Sequence, residues 1–124
     1  MVIPDSVEVI DNNAFSGCTS LADVTIGNNV ERIGRFAFHN TAISSIVIPD
    51  SVEVIDNQAF DGCDNLTDVT LGQGVTTIGT GAFGGCDIRN LTIPASVTSI
   101  GRIAFYENEN VESVTFVGRS QDDI

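Results

Sequence analysis

The sequence predicts a parallel β-solenoid of about five stacked coils, and three observations carry that prediction. First, residues 3–25 (IPDSVEVIDNNAFSGCTSLADVT) and 48–70 (IPDSVEVIDNQAFDGCDNLTDVT) are identical at 18 of 23 positions. Second, related segments run through 26–47, 71–92 and 93–115, so repeat starts fall at 3, 26, 48, 71, 93 and 116 and the period alternates between 23 and 22. Third, each segment places its apolar residues at the same offsets. A fixed period in the twenties means coils that bury together a core none could bury alone. The chain therefore reads as one domain of 124 residues, with coils 3–25, 26–47, 48–70, 71–92 and 93–115 and a partial coil 116–124. It reads as a piece cut from a longer array, with Met1 as an added start, because the pattern begins and ends in mid-repeat.

The elements follow from the offsets. In the first coil the apolar positions are Val7, Ile10, Ala14, Phe15, Cys18, Leu21, Val24 and Ile26. The segment from Leu21 to Ile26 alternates around Val24, Thr25 and Ile26, which predicts a short strand with Thr25 outward. Matching strands are expected at 43–48, 66–71, 88–93 and 111–116, parallel and in register. Pro or Gly follows each strand (Pro4, Gly27, Pro49, Gly72, Pro94) and turns the chain. A second extended piece runs through 6–10 and its copies. Asp11, Gly34, Asp56, Gly79 and Gly101 then stand where N-caps of one helical turn would stand, ahead of the Ala-Phe pair. The phenylalanines Phe15, Phe38, Phe60, Phe83 and Phe105 are expected to stack in one column at the ~4.8 Å strand spacing. Gly17, Asn40, Gly62 and Gly85 suit a left-handed turn end; Glu107 occupies that place in the fifth coil and predicts a different ending there.

Composition narrows the function classes. The net charge is −12, and all five cations are Arg (32, 35, 89, 102, 119). Such a field repels nucleic acid and anionic lipid, so neither is expected as a partner. No apolar run approaches the ~20 residues of a membrane span, so no membrane insertion is expected. Trp is absent and Tyr occurs once, so large anchoring aromatics are scarce.

Side chains with chemistry read mostly as structure. Cys18, Cys63 and Cys86 share the slot three residues after the Phe. Their odd number and parallel orientation argue for buried free thiols over a disulfide or metal site. His39 follows Phe38 in a turn with no evident partner, and reads as a solvated turn residue rather than a catalytic base. Glu8, Glu31 and Glu53 stack in successive coils; water, Arg32 or a cation would have to screen them, and a solvated acidic stripe is the simpler reading than a bound Ca²⁺. No catalytic, cofactor-binding or metal-binding residue is assigned. The outward row of the long strands is the candidate binding face: Thr25, Val47, Thr70, Thr92 and Thr115, with Asp23, Ser45, Asp68, Asn90 and Ser113 two residues earlier and Arg89 beside them. Thr is also simply well suited to an exposed strand, so the row supports two readings, a strand surface or a platform for an extended ligand.

The pattern L-x-x-L-x-L-[PG]-x-x-V-x-x-I-[GD]-x-x-A-F-x-x-C resembles the BspA-like (Treponema-type) leucine-rich repeats of bacterial surface proteins, over residues 3–116. The I-[GD]-x-x-A-F element occurs five times without a gap; the Cys slot departs at Thr41 and Asn108. The resemblance implies a right-handed solenoid with a parallel concave sheet and short 3-10 or helical turns on the convex side. It also implies an extracellular or cell-surface, non-enzymatic, adhesin-like module that binds a host or microbial protein or glycan. A structural spacer displaying another domain is the second reading, and an enzyme the last. Uncapped end coils are expected to self-associate.

Overall fold

The computed structural model describes residues 1–118. Nine short strands form two parallel sheets along the two sides of a solenoid. One side carries two-residue strands: β1 (Val9–Ile10), β2 (Arg32–Ile33), β4 (Val54–Ile55), β6 (Thr77–Ile78) and β8 (Ser99–Ile100), each paired with the next. The other carries four-residue strands: β3 (Ser45–Ile48), β5 (Asp68–Leu71), β7 (Asn90–Ile93) and β9 (Ser113–Phe116). In β3, β5 and β7 exposed and buried residues alternate strictly, as a strand with one wet face requires.

Between the sheets lies the phenylalanine column. Ring centroids of Phe15, Phe38, Phe60, Phe83 and Phe105 follow one another at 5.3, 5.2, 5.2 and 5.6 Å, their planes nearly parallel. Phe38, Phe60 and Phe83 are fully buried, among the Val/Ile pairs Val30/Ile33, Val52/Ile55 and Val75/Ile78. The apolar offsets thus placed the core correctly.

The segment carrying Ala-Phe is a stack of turns, and no helix occurs among the described residues. Alternate N–H groups do different work. Those of Ala14, Ser16 and Cys18 bond back to the carbonyls of Asp11, Asn13 and Phe15. Those of Asn13, Phe15 and Gly17 bond across to Arg35, Ala37 and His39 of the next coil, and every later junction repeats this. A helical turn would direct all its N–H groups along its own axis, leaving the coils unjoined. Two left-handed residues per coil produce the alternation. One is the expected turn end, Gly17, Asn40, Gly62 and Gly85, and Glu107 joins it with φ 57°. The fifth turn therefore ends like the others. The second, at Asn13, Phe36, Gln58, Gly81 and Ile103, has no compositional signature, since it accepts a Phe and a β-branched Ile.

The alternating period has a structural consequence. Coils of 23 residues enter the long strand through four residues (18–21, 63–66, 108–111), and in the first two the last N–H returns to the Cys carbonyl at 3.0 Å. Coils of 22 have three (41–43, 86–88), and there Ala42 and Asp87 bond instead to Leu21 and Leu66 of the preceding coil. Strands 23 residues apart pair along their full length: β3 with β5, and β7 with β9. Thr25 likewise bridges Val2. Across the 22-residue coils the ladder loosens. β5 and β7 share only the Asp68–Asn90 register, and among the described residues no backbone hydrogen bond joins 23–26 to β3. The expected first strand at 21–26 is consequently reduced to the Thr25 bridge. The long-strand sheet is a set of doublets with seams between them, whereas the short-strand sheet is continuous.

Two substitutions of opposite sign test this backbone. Ile103 is largely exposed at φ 51°, a conformation that costs a β-branched residue about 1–2 kcal/mol. Ile103→Asn should therefore raise unfolding stability by about 1 kcal/mol in a denaturant melt. A Cβ on Gly72 would lie 2.5 Å from the Ile48 carbonyl oxygen, so Gly72→Ala should lower stability by about 1–3 kcal/mol.

Candidate functional site

The alternation of the long strands decides which side chains can meet a ligand. Asp23, Thr25, Ser45, Val47, Asp68, Thr70, Arg89, Asn90, Thr92, Ser113 and Thr115 are all exposed. Pairing sets them in rows, with Ser45 beside Asp68, Val47 beside Thr70, Asn90 beside Ser113 and Thr92 beside Thr115. Val47 is 64% exposed and supplies an apolar spot among hydroxyls. At the seam between the first two coils a cleft of about 750 Å³ opens, bounded by Thr25, Ser45, Val47, Asp50, Thr70 and Gln73 among others.

Several polar groups of this face are already engaged. Ser113 Oγ donates to Asn90 Oδ1 at 2.7 Å. Arg89 Nη2 donates to Asp87 Oδ2 at 2.9 Å, and Asn110 Nδ2 donates to Asp87 Oδ1. The Arg89 hydrogen bond holds the Asp87 carboxyl below its usual range, and the same bond raises the Arg89 guanidinium. A ligand carboxylate would compete with Asp87 for Arg89. On the short-strand side Glu8, Glu31 and Glu53 do stack, their backbones bonded in sequence, but Arg32 does not screen them; it pairs with Asp56. Burial disfavours the Asp56 carboxylate, yet the Arg32 bond and the Asn57 N–H outweigh it and lower its pKa. Among the described residues no three His, Cys, Asp or Glu side chains converge as a metal site would require.

A second row was missed in the sequence. The residue after each Phe is Ser16, His39, Asp61, Gly84 and Tyr106, and these stack as the phenylalanines do. His39 is not a lone solvated residue: Ser16 Oγ lies 3.4 Å from Nδ1, Asp61 Oδ2 lies 3.9 Å from Nε2, and the Phe36 ring meets the imidazole edge-on. Tyr106 reaches over Gly84 to donate to Asp61 Oδ1 at 2.9 Å; a Cβ on Gly84 would collide with its ring. The residue types suggest Ser-His-Asp hydrolysis, but the contacts do not support it. The 3.9 Å separation is too long for the hydrogen bond that would orient the imidazole, and the Gly17 N–H nearby is spent on the His39 carbonyl. The row is a cross-coil tie. Its signal was legible in the offsets, a polar residue in one slot of four of the five coils, with Gly84 in the other.

The thiols divide. Cys63 and Cys86 are buried, and their Sγ atoms donate to the Phe38 and Phe60 carbonyls of the preceding coil. Burial pushes both thiols up. Asn108 fills the same slot and donates to the Phe83 carbonyl at 2.8 Å; Thr41 Oγ1 contacts Cys63 Sγ. Cys18 is exposed, contrary to the expectation of three buried thiols; it lies in the first described coil, whereas Cys63 and Cys86 are each covered by the coil before them.

Comparison with known proteins agrees with this architecture. A family model described as the BspA type leucine rich repeat region matches residues 1–112 in 6 copies. A leucine-rich repeat protein from Bacteroides ovatus ATCC 8483 superposes with a TM-score of 0.86 at 33% identity, over 92% of this chain and 30% of that one. The T. pallidum leucine-rich repeat protein gives 0.88 at 29% identity, over 92% and 56%. A leucine rich cell surface protein from Faecalibacterium prausnitzii A2-165 gives 0.70 at 34%, over 93% and 38%. The chain thus spans between about a third and just over half of these proteins. No curated protein matches.

Two measurements check the rows. Under native conditions a thiol reagent should label one cysteine quickly, Cys18, and the other two only after denaturation; three equal rates would contradict the assignment. Tyr106→Phe should lower stability by about 1 kcal/mol. The Asp61 hydrogen bond raises the Tyr106 pKa. Its contribution should therefore be full below the ordinary tyrosine pKa of ~10 and fade as pH rises through the raised value. A Tyr106→Phe deficit that were absent at neutral pH, or that persisted undiminished above the raised pKa, would contradict the tie.

Proposed function

Because the chain belongs to the BspA-type leucine-rich-repeat family, we propose that it is a non-catalytic binding module of a bacterial cell-surface or secreted protein, and that it binds through the long-strand sheet. The observation that supports this most is the exposed row itself. Eight of the eleven outward residues stand on paired strands, Asp23, Thr25 and Arg89 lie beside them, and the inward neighbours in β3, β5 and β7 are buried in the core. Binding to such a row requires no reorganisation of the scaffold, which lowers the ordering cost of association. The cell-surface setting rests on the Faecalibacterium prausnitzii relative, whose own name carries it.

The chemistry of the row suggests the partner: an extended protein segment or glycan of a host or microbial surface. Hydroxyls at Thr25, Ser45, Thr70, Thr92, Ser113 and Thr115 both donate and accept. The net charge of −12 favours a ligand with basic character, so affinity should fall as salt rises. The spacer reading has one point in its favour, the lack of Trp and the single Tyr, since hot spots draw heavily on such residues.

The test is a matrix-protein and glycan array followed by a double substitution. Thr70→Arg with Thr92→Arg should abolish binding to any ligand found, with the melting temperature nearly unchanged because both positions face water. Equal binding by the double variant would exclude the long-strand sheet. Binding to nothing on the array would favour the spacer.

A further inference from the structure

We propose that the seam cleft beside β3 seats an extended, arginine-bearing segment of a partner protein, held partly by main-chain hydrogen bonds. The proposal rests on the long-strand sheet being the binding face; it adds the ligand class and the place on that face. The seam supplies the backbone groups. Thr25 shows how an outward residue bonds in this sheet: its N–H donates to the Met1 carbonyl and its carbonyl accepts from the Ile3 N–H, both on the preceding pass of the chain. Asp68 likewise donates back to the Ser44 carbonyl. In β3 the outward residues are Ser45 and Val47, so their N–H and C=O groups turn toward 23–26. Among the described residues no backbone hydrogen bond meets them there. Two donors and two acceptors thus alternate along one strand, and an extended main chain is their natural complement.

Charge selects what the segment carries. Asp50 is the one charged residue bounding the 750 Å³ cleft. Its Oδ1 accepts the Gln73 N–H at 2.8 Å, which leaves the other carboxylate oxygen for a ligand. Asp68 stands beside Ser45 at the far end of the strand. No Arg bounds the cleft, and Arg89 is held by Asp87. A guanidinium suits this wall better than an ammonium does, because its fork can donate to a carboxylate and a carbonyl together. Val47, 64% exposed within the cleft, offers an apolar surface for the flat face and the side-chain stem. A neutral glycan could use the same donors and acceptors but would gain nothing from Asp50.

The probe is a fluorescein-labelled octapeptide of alternating threonine and arginine, capped at both ends, with a threonine–glutamate octapeptide as control. Anisotropy reads affinity and amide exchange reads the place. The arginine peptide should bind and the glutamate peptide should not. With nine-tenths of the chain occupied, the Val47 amide should exchange about tenfold more slowly than in the free chain. Asp50→Asn keeps an Oδ1 for the Gln73 N–H and should weaken binding about threefold. Val47→Arg places a like charge in the cleft and should weaken it at least tenfold; both side chains are exposed, so melting should stay nearly unchanged.

No binding of the arginine peptide would overturn the proposal, as would binding that leaves Val47 exchange unchanged or that a neutral maltoheptaose displaces. Equal binding of the glutamate peptide would do the same. The exchange measurement uses the wild-type chain, so a misfolded variant cannot rescue the idea. Thr92→Arg, outside the cleft, separates this proposal from the one it rests on. A matrix protein from the array that is lost with Thr92→Arg but kept with Val47→Arg would overturn the cleft and leave the long-strand sheet as the binding face. One kept by both variants would remove the sheet as well.

Discussion

The backbone hydrogen bonds that run from the turn of one coil to the turn of the next hold this structure together. They occur at every junction and require two left-handed residues in each coil. They fix the coil spacing, and the phenylalanine column at 5.2–5.6 Å follows from it. That spacing lets each ring stack on its neighbour, buries the slot occupied by Cys63, Cys86 and Asn108, and brings Ser16, His39, Asp61 and Tyr106 into one row. Because this side is continuous, the opposite side is free to vary. A coil can lose one residue before its long strand without losing its place in the stack.

That freedom explains the alternating period. The near-identity of 3–25 with 48–70 shows that the true repeating unit is a pair of coils, 45 residues long. The pair is also the physical unit of the long-strand sheet, in which strands join as doublets. An exposed face built this way presents its hydroxyls in paired rows separated by seams. One seam opens into the cleft beside Thr25 and Val47.

Much of this was legible in the residues. The Val/Ile, Ala-Phe and strand offsets placed the core, the sheets and the exposed row, because burial imposes a period that composition records. The turns were less legible. Asp11 and its copies look like helix caps, but inter-coil bonding claims the N–H groups a helix would use. Phe36 and Ile103 adopt positive φ without the usual residue types, since the ladder over-determines their conformation. Cys18 was misread because burial in a solenoid depends on the neighbouring coil, which a single repeat does not reveal. The exposed row was found from alternation alone; the pairing of Arg89 with Asp87 depends on rotamers that no offset specifies.

The central claim is that a residue missing from the 22-residue coils opens the long-strand ladder at their junctions while the turn ladder stays closed. Amide hydrogen exchange tests it most directly. Thr25 N–H bonds back to the Met1 carbonyl, and by the same strand geometry the N–H groups of Val47 and Thr70 point back toward the preceding coil. Thr70 has a paired strand there and Val47 faces the seam. The account predicts that the Val47 amide exchanges at least about a hundredfold faster than the Thr70 amide, with the Phe38 and Phe60 amides both protected. Equal protection of Val47 and Thr70 would contradict it.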